Sequence, residues 1–205
     1  MKLYKTVAGE ASARQTIEKS RFTARIKPVS SKKEADDFIG EIKKKNKDAT
    51  HNVPVMVLGD KFQTQWASDD GEPQGTSGAP ILHMLVREGI TNVAVVVTRY
   101  FGGVKLGTGG LVRAYTGTVK LALEKASVRE VSEMAEINVK IDYRFLSGLK
   151  NAADTEDFSI KNIEYKEKIT AVLLAPSEKK EKIKNLLEGI TSGSAKVVSE
   201  RLIKC

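Results

Sequence analysis

The sequence predicts an α+β protein of two domains, one over residues 1–132 and the other over residues 133–205. Strand-like alternation and helix-like spacing of apolar residues interchange along all 205 residues, a length that can bury two modest cores. The last third of the chain reads strand, helix, strand, strand, helix, strand. That order suits a ferredoxin-like βαββαβ sandwich.

The first domain is expected to mix strands and helices. Thr76 or Ser77 is expected to cap its second helix, and Pro80 suits that helix's first turn. Because Pro54 has no N–H, its strand is expected to lie at an edge or to start late. The expected elements are strands over 2–7 and roughly 15–28, a helix opened by the capping box at 31–34, strands near 53–58 and 61–67, a helix ending at Gly89, a strand over 93–97, a helix from Gly110 to about Ala126, and a short strand near 127–132.

The second domain alternates clearly between apolar and polar residues. We predict a helix around 144–153, strands near 157–165 and 168–175, a helix capped by Ser177, and a strand over about 195–203. The domain has no histidine and no glycine-rich phosphate loop, so we interpret it as a binding or packing module. The apolar face of its first strand holds Ala135, Ile137, Val139, Ile141 and Tyr143.

The most informative segment, residues 95–115, reads VVVTRYFGGVKLGTGGLVRAY. A buried strand that passes through a glycine-rich loop into a helix offers backbone N–H groups and a positive helix end to an anion. The spacing fits neither a Walker loop nor a dinucleotide fingerprint. The alternative is a loop that only makes tight turns and close packing. In either case we expect at least one of Gly109 and Gly110 to have a positive φ or to let a ligand approach the backbone. The candidate anion- or nucleic-acid-binding residues are Arg99, Tyr100, Phe101, Lys105, Gly107, Thr108, Gly109, Gly110 and Arg113.

An acidic loop, SDDGEPQGTSGAP over residues 68–80, precedes this segment. Asp69, Asp70 and Glu72 are three carboxylates within four residues, which suits Mg²⁺ or acid–base chemistry. They equally suit salt bridges to Arg99, Lys105 or Arg113, or turn capping. His51 and Asn52, at a strand entrance, are the other candidates for such a site, although this residue pair more often fixes a turn. A metal cage normally recruits ligands from several segments, so no metal site is assigned.

The net charge of +8 is concentrated near the start of the chain. Residues 1–50 hold 13 Lys and Arg against seven acids, which indicates contact with a polyanion. Lys19 and Arg21 lie beside Phe22, an arrangement compatible with a nucleic-acid face as well as with an ordinary solvated strand. The lysine run at 43–47 is explained by its place at the end of a predicted helix.

The composition excludes several classes of protein. Cys205 is the single cysteine, which rules out an internal disulfide framework and a cysteine zinc site. No apolar run reaches the length of a membrane span, and the first residues lack the apolar stretch of a signal peptide. We therefore expect a cytoplasmic protein with no membrane partner and no cofactor.

The two central motifs, SDDGEPxGTxGxP and VVVTRYFGGVKLGTGGLVRAY, resemble those of the YigZ/IMPACT family. Residues 19–22 and 51–52 match two weaker motifs upstream. The resemblance implies a first domain with the fold shared by a small-subunit ribosomal protein domain and the fourth domain of elongation factor G. Eukaryotic relatives regulate translation under amino-acid stress, and bacterial relatives are proposed to bind nucleic acid or the ribosome.

We therefore predict a non-enzymatic protein that binds RNA or the ribosome and is linked to the regulation of translation. Two alternatives stay open. One is a small metal-dependent hydrolase or transferase that uses the acidic loop, and the other is a regulator that binds a protein partner. The steep salt dependence of phosphate contacts separates the first hypothesis from both alternatives.

Overall fold

A computed structural model describes residues 2–205 of the chain. The described chain divides into two compact units, Tyr4–Glu130 and a second that comprises Val131–Cys205 with Lys2 and Leu3. Its strands and helices are β1 (Lys2–Val7), β2 (Ala11–Ile17), β3 (Ser20–Pro28), α1 (Lys32–Lys45), β4 (His51–Leu58), β5 (Thr64–Ala67), α2 (Gly78–Arg87), β6 (Val93–Tyr100), α3 (Gly107–Ala126), β7 (Val128–Ile141), α4 (Leu146–Thr155), β8 (Ser159–Tyr165), β9 (Ile169–Pro176), α5 (Lys180–Thr191) and β10 (Lys196–Lys204). The α+β class is confirmed.

The first unit is built on an antiparallel sheet with the strand order β2-β3-β6-β4-β5. Strand β6 is central, and its successive side chains point into two different cores. Val95 and Val97 join the core under α2 and α3, whereas Ala94 and Val96 join the core under α1. Burial on both faces explains why residues 93–97 of β6 form an uninterrupted apolar run.

A hairpin replaces the single strand expected over residues 15–28. Strands β2 and β3 pair from Ala11↔Ile26 to Ile17↔Ser20, and the chain reverses at Glu18 and Lys19. Both turn residues have positive φ, at 44° and 63°, as type I′ hairpin turns require. Neither is a glycine or an asparagine, so the sequence carries no ordinary signal for this turn.

Strand β4 accommodates Pro54 although it is not an edge strand. It lies between β6 and β5, and its pairing with β5 starts only at Val55. The Pro54 carbonyl accepts from Ser68 N on the β5 side, so the proline nitrogen also faces that side. The missing N–H therefore falls beyond the end of β5 and costs no ladder bond.

Two helices begin in ways that the sequence did not predict. Helix α3 begins at Gly107 rather than Gly110, so Gly109 and Gly110 lie within its first turn. The positive φ expected at one of them occurs instead at Gly107, at 70°. Helix α2 has Ser77 at its N-cap position, but the Ser77 side chain accepts no capping bond from an N–H of the helix.

The second unit has the predicted order of strands and helices. Its sheet has the order β1-β7-β9-β8 with β10 also on β7, and the pairs that β7, β8, β9 and β10 form are antiparallel. Residues from Ala135 to Ile141 that alternate along β7 pack under α4 and α5 as predicted. Tyr143 does not join this face, because β7 ends at Ile141 and a short helical turn begins at Tyr143. Strand β7 is continuous from Val128, where two separate strands were expected.

Candidate functional site

Three neighbouring strands, β3, β6 and β4, come together at one end of the first unit's sheet. Arg99, near the end of β6, lies opposite Phe22 on β3 and His51 on β4. Arg99 follows Val95 and Val97 in the alternation of β6, so its side chain faces the α2 and α3 side. The alternation along β6 therefore buries an arginine where the hydrophobic core reaches its rim.

Arg99 is held by an internal ion pair. Its Nη1 lies 2.6 Å from Glu72 Oε1, and the two side chains are only 6% and 2% exposed. The Tyr115 hydroxyl donates to the same oxygen at 2.6 Å. Burial, followed by the hydrogen bond to Glu72, raises the pKa of Tyr115 well above its ordinary value, so the phenol stays a neutral donor. The charge of Arg99 is therefore balanced inside the protein.

A second nitrogen of Arg99 links the site to the β2–β3 hairpin. Its Nη2 donates to Ser20 Oγ at 3.3 Å, and the same oxygen accepts from Gly102 N at 3.1 Å. The guanidinium carbon lies 5.3 Å from the ring centroids of both Phe22 and Phe101. Within residues 2–205, Arg99 Nε has no hydrogen-bond acceptor although it is buried. Among the buried side-chain nitrogen and oxygen atoms of residues 2–205, it is the one without a hydrogen-bond partner.

Asp69, the first acid of the loop, caps α2. Its Oδ1 accepts from Ser77 N, Ser77 Oγ and Gly78 N at 3.1, 2.7 and 2.8 Å, and its Oδ2 accepts from Gly75 N at 2.8 Å. Asp69, which lies eight residues before Ser77, thus supplies the helix cap that was predicted for Thr76 or Ser77. Burial alone would raise the pKa of the Asp69 carboxyl, but the accepted hydrogen bonds, led by that from the Ser77 hydroxyl, lower it.

Asp69→Asn is expected to lower the free energy of unfolding by about 1 kcal/mol at pH 7, because a charged helix cap is lost. Since the folded pKa is lowered, this stability is present above the unfolded pKa of about 4 and disappears as pH falls through the folded pKa. Urea denaturation between pH 7 and pH 2 measures the difference, with Asp154→Asn on the exposed face of α4 as the control. A difference that does not change with pH contradicts the charged cap.

The other two acids face elsewhere. Asp70 accepts from Lys43 Nζ and from Asn52 N, each at 2.7 Å, while Glu72 points to Arg99. Among residues 2–205, no group of His, Cys, Asp and Glu is placed to hold a metal ion. The three carboxylates, although they lie within four residues, thus accept hydrogen bonds from three different sets of donors.

His51 and Asn52 have different roles. Asn52 is buried between Thr98 Oγ1, which donates to its Oδ1 at 2.9 Å, and the carbonyl of Asn46, to which its Nδ2 donates at 2.9 Å. His51 Nδ1 lies 2.8 Å from the carbonyl of Asp70, so this nitrogen carries the hydrogen. Its other nitrogen, Nε2, lies 3.7 Å from Glu72 Oε2. Asn52 is structural, whereas His51 forms part of a cleft wall.

A cleft of about 460 Å³ opens between the acidic loop and the start of α3. Its lining combines polar and apolar residues, as is typical of small-molecule and nucleotide sites. We call it the α3 cleft. The polar lining residues include Thr50, His51, Glu72, Arg99, Lys105 and Thr108, and the apolar ones include Pro73, Phe101, Leu106 and Leu111.

The start of α3 forms part of this cleft and has no cap. Leu106 occupies the N-cap position without a side-chain bond, and the first turn contains no acid. The first N–H groups of a helix have no intrahelical acceptor, so Gly107 and Thr108 present free donors and a positive helix end to the cleft. Lys105 is exposed beside them.

The predicted binding residues fall into three groups. Lys105 also lines a second cleft of about 470 Å³, which includes Arg113 and Gly110 but not Arg99. Arg21 lies on another surface, with its guanidinium carbon 4.4 Å from the ring centroid of Tyr100. Lys19, in the hairpin turn, is exposed. Ser20, Lys43 and Tyr115 were absent from the sequence hypothesis, because nothing local distinguishes them from ordinary strand and helix residues.

These contacts define an α+β protein whose first unit joins a buried ion pair to an open, positively polarised helix start. Residues 18–123 match the family model of the Impact N-terminal domain. The chain is 41% identical over 166 residues to IMPACT family member YvyE of Bacillus subtilis (strain 168), covering 81% of this chain and 76% of that protein. The chain belongs to the IMPACT family, as the motifs predicted.

Other relatives extend the match over nearly the whole chain. IMPACT family member YigZ of Escherichia coli (strain K12) is 32% identical over 187 residues, covering 90% of this chain and 92% of that protein. A solved structure described as the crystal structure of an hypothetical protein is 30% identical with a TM-score of 0.60, and the match covers 97% of this chain and 98% of that one. Within residues 2–205, no helix is long and apolar enough to cross a membrane.

Proposed function

We propose that this protein binds RNA, free or within the ribosome, through its first unit, and that this binding links it to the regulation of translation in the cytoplasm. The observation that carries the proposal is the uncapped start of α3, where Gly107 and Thr108 donors lie beside the exposed Lys105. A phosphate there would receive backbone hydrogen bonds and a cation. Phe101, 46% exposed, offers a ring on which a base can stack.

The charge balance of the α3 cleft assigns different tasks to its two cations. Arg99 is neutralised by Glu72 and shapes the wall, so the surplus positive charge comes from Lys105. The second cleft extends the cationic surface to Arg113 beside Gly109 and Gly110. On this proposal, Lys105 and Arg113 contact phosphates, whereas Arg99 keeps the cleft in shape.

The hydrogen bonds that the carboxylates of the acidic loop accept from the protein favour a binding function over catalysis. Asp69, Asp70 and Glu72 each accept two or more hydrogen bonds from the protein itself. A catalytic acid or base must reach the proton that it transfers, and the carboxylate oxygens of Asp69 and Asp70, together with Glu72 Oε1, are directed at structural donors. A protein-binding regulator is the remaining alternative, and the salt dependence of binding distinguishes it.

The fold names suggested by the family resemblance are part of the proposal. In the second unit, the order β10-β7-β9-β8 with antiparallel pairs supports a ferredoxin-like sandwich. For the first unit we propose the fold of the ribosomal protein domain and of elongation factor G domain IV. We place the domain boundary at residues 132 and 133.

Titration of a fluorescent single-stranded RNA of mixed sequence at two or more salt concentrations tests the function. Lys105→Gln is expected to weaken binding and to reduce the slope of log affinity against log salt by about 0.7, the loss of one phosphate contact. Lys120→Gln, an exposed change on α3 outside both clefts, is the control. Wild-type affinity and slope in Lys105→Gln would contradict the assignment, and no binding by the wild type would contradict the function.

A further inference from the structure

The first unit has a second cationic surface, on the sheet face opposite α2 and α3. Helix α1 packs over β4 and β6 on this face, against Met56, Ala94 and Val96, which leaves its β2–β3 side open. The open part carries arginines and hydroxyls and no apolar side chain. Its residues are Ser12, Arg14 and Thr16 on β2 and Arg21, Thr23 and Arg25 on β3. We call the row formed by Arg14, Arg21 and Arg25 the arginine row.

The strand register places these arginines at regular steps. Thr16 lies opposite Arg21, Arg14 opposite Thr23, and Ser12 opposite Arg25. Each step along the hairpin is two residues, about 6.6 Å in a β-strand. The Cα atoms of the three arginines therefore follow one another along the strand axis, alternating between β3 and β2. The side chains of Arg21 and Arg25 contact Tyr100 and Thr98 of the neighbouring strand β6.

The arginine row is not neutralised by the protein. No carboxylate within residues 2–205 lies within ion-pair distance of Arg14, Arg21 or Arg25. Arg21 stacks on the Tyr100 ring, and Arg25 Nη1 donates to Thr98 Oγ1 at 3.2 Å. Arg14 is exposed and makes no hydrogen bond in that range.

The lysines of α1 behave differently from the arginine row. Lys32, Lys33 and Lys45 each pair with an acid one turn away on the same helix. Their charge is therefore compensated locally, as on an ordinary solvated helix. An unpaired row on the sheet face, beside compensated charges on the neighbouring helix, indicates a surface that is complementary to a polyanion.

We propose that the arginine row binds the sugar–phosphate backbone of single-stranded RNA. The inference rests on the RNA-binding function proposed above and adds a surface separate from the α3 cleft. Guanidinium groups bind phosphate oxygens in bidentate geometry, which the point charge of lysine cannot reproduce. Ser12 and Thr16 supply hydroxyl donors next to the row, and the guanidinium group of Arg21, whose carbon lies 4.4 Å from the Tyr100 ring centroid, offers a plane for base stacking.

The test compares two triple variants of equal charge change. Arg14→Gln/Arg21→Gln/Arg25→Gln removes the row, whereas Arg87→Gln/Lys120→Gln/Lys125→Gln removes three exposed cations from helices α2 and α3. The probe is a fluorescent single-stranded oligouridylate titrated at several salt concentrations. The row variant is expected to bind at least tenfold more weakly, with a salt slope smaller by about 2, which corresponds to three lost phosphate contacts. The control variant is expected to keep most of the affinity.

Equal RNA binding by the two triple variants would overturn the proposal that the arginine row binds RNA, while leaving the proposed function of the protein intact. No RNA binding by the wild-type protein would overturn both. If the row variant does not fold, as judged by circular dichroism, Arg14→Gln alone replaces it, because Arg14 has no hydrogen bond or ion pair to lose. That single variant is expected to reduce the slope by about 0.7, and an unchanged slope would overturn the proposal.

Discussion

Glu72→Ala is expected to lower the free energy of unfolding by about 3–5 kcal/mol, the usual cost of breaking a buried ion pair. The substitution leaves the Arg99 guanidinium charged and buried, with Nε already lacking an acceptor within residues 2–205. It also removes the acceptor of the Tyr115 hydroxyl, which is fully buried. Both losses act at the same rim of the core, so they add to a large effect. Urea denaturation followed by circular dichroism measures it.

Two further variants separate charge from shape at this position. Glu72→Gln keeps an oxygen that can accept from Arg99 and Tyr115, and it is expected to cost less than the alanine change. Glu72→Leu combined with Arg99→Met removes both buried charges and is expected to recover most of the loss. If the double variant instead loses the sum of the two single changes, the pair is not coupled and the account of the site is wrong.

The Glu72→Gln protein also connects stability with binding. Removing one negative charge from the wall of the α3 cleft leaves the charge of Arg99 uncompensated. Binding of single-stranded RNA is therefore expected to strengthen, provided that the protein remains folded at the temperature of the titration. Weaker binding by a folded Glu72→Gln protein would argue that the carboxylate itself contacts the ligand.

Local patterns predicted the regular elements well. Ser31 caps α1 as expected, with Glu34 N donating to Ser31 Oγ at 3.2 Å, but the Glu34 carboxylate accepts from Ser30 N and not from Ser31 N, so only half of the capping box forms. The run of β-branched residues in β6 is a strand buried on both faces, and the alternation along β7 places its apolar side under two helices. These features depend on residues a few positions apart, which is the range over which periodicity and capping act.

The features that the sequence did not reveal depend on distant contacts. The hairpin turn at Glu18 and Lys19 lacks a turn residue, and α3 starts three residues early through Gly107. Helix propensity argues against glycine in that turn, so tertiary packing overrides it. The location of the site was nevertheless predictable in part, because the acidic loop and the glycine segment do line one cleft.

The burial of Arg99 was the most instructive difference. The leading hypothesis had it contact a phosphate, but it pairs with Glu72, which lies 27 residues earlier in the chain, as the salt-bridge alternative for the acidic loop predicted. The signal was present in the alternation of β6, since a residue two positions after Val97 faces the same core. A cation that the strand pattern directs inward requires an internal acid, and the acidic loop supplies one.

Gly102→Ala is expected to lower the free energy of unfolding by about 1–3 kcal/mol or more, because the new methyl group collides with backbone atoms. A Cβ at Gly102 would lie 2.0 Å from the carbonyl carbon of Lys19 and 2.4 Å from Ser20 N. Backbone atoms of a hairpin turn cannot move aside as a flexible side chain can. The change would also break the bond from Gly102 N to Ser20 Oγ.

The same substitution at Gly109 is the matched control. Gly109 has no positive φ, and an added Cβ there meets only Arg113 Nη1, at 3.6 Å. Because alanine favours a helix over glycine, Gly109→Ala is expected to stabilise the protein by about 0.5–1 kcal/mol. Displacement of the hairpin by Gly102→Ala would also shift Phe101 at the wall of the α3 cleft, so RNA affinity is expected to fall only in that variant. Equal stability of the two variants would mean that the loop and the hairpin turn are not in contact.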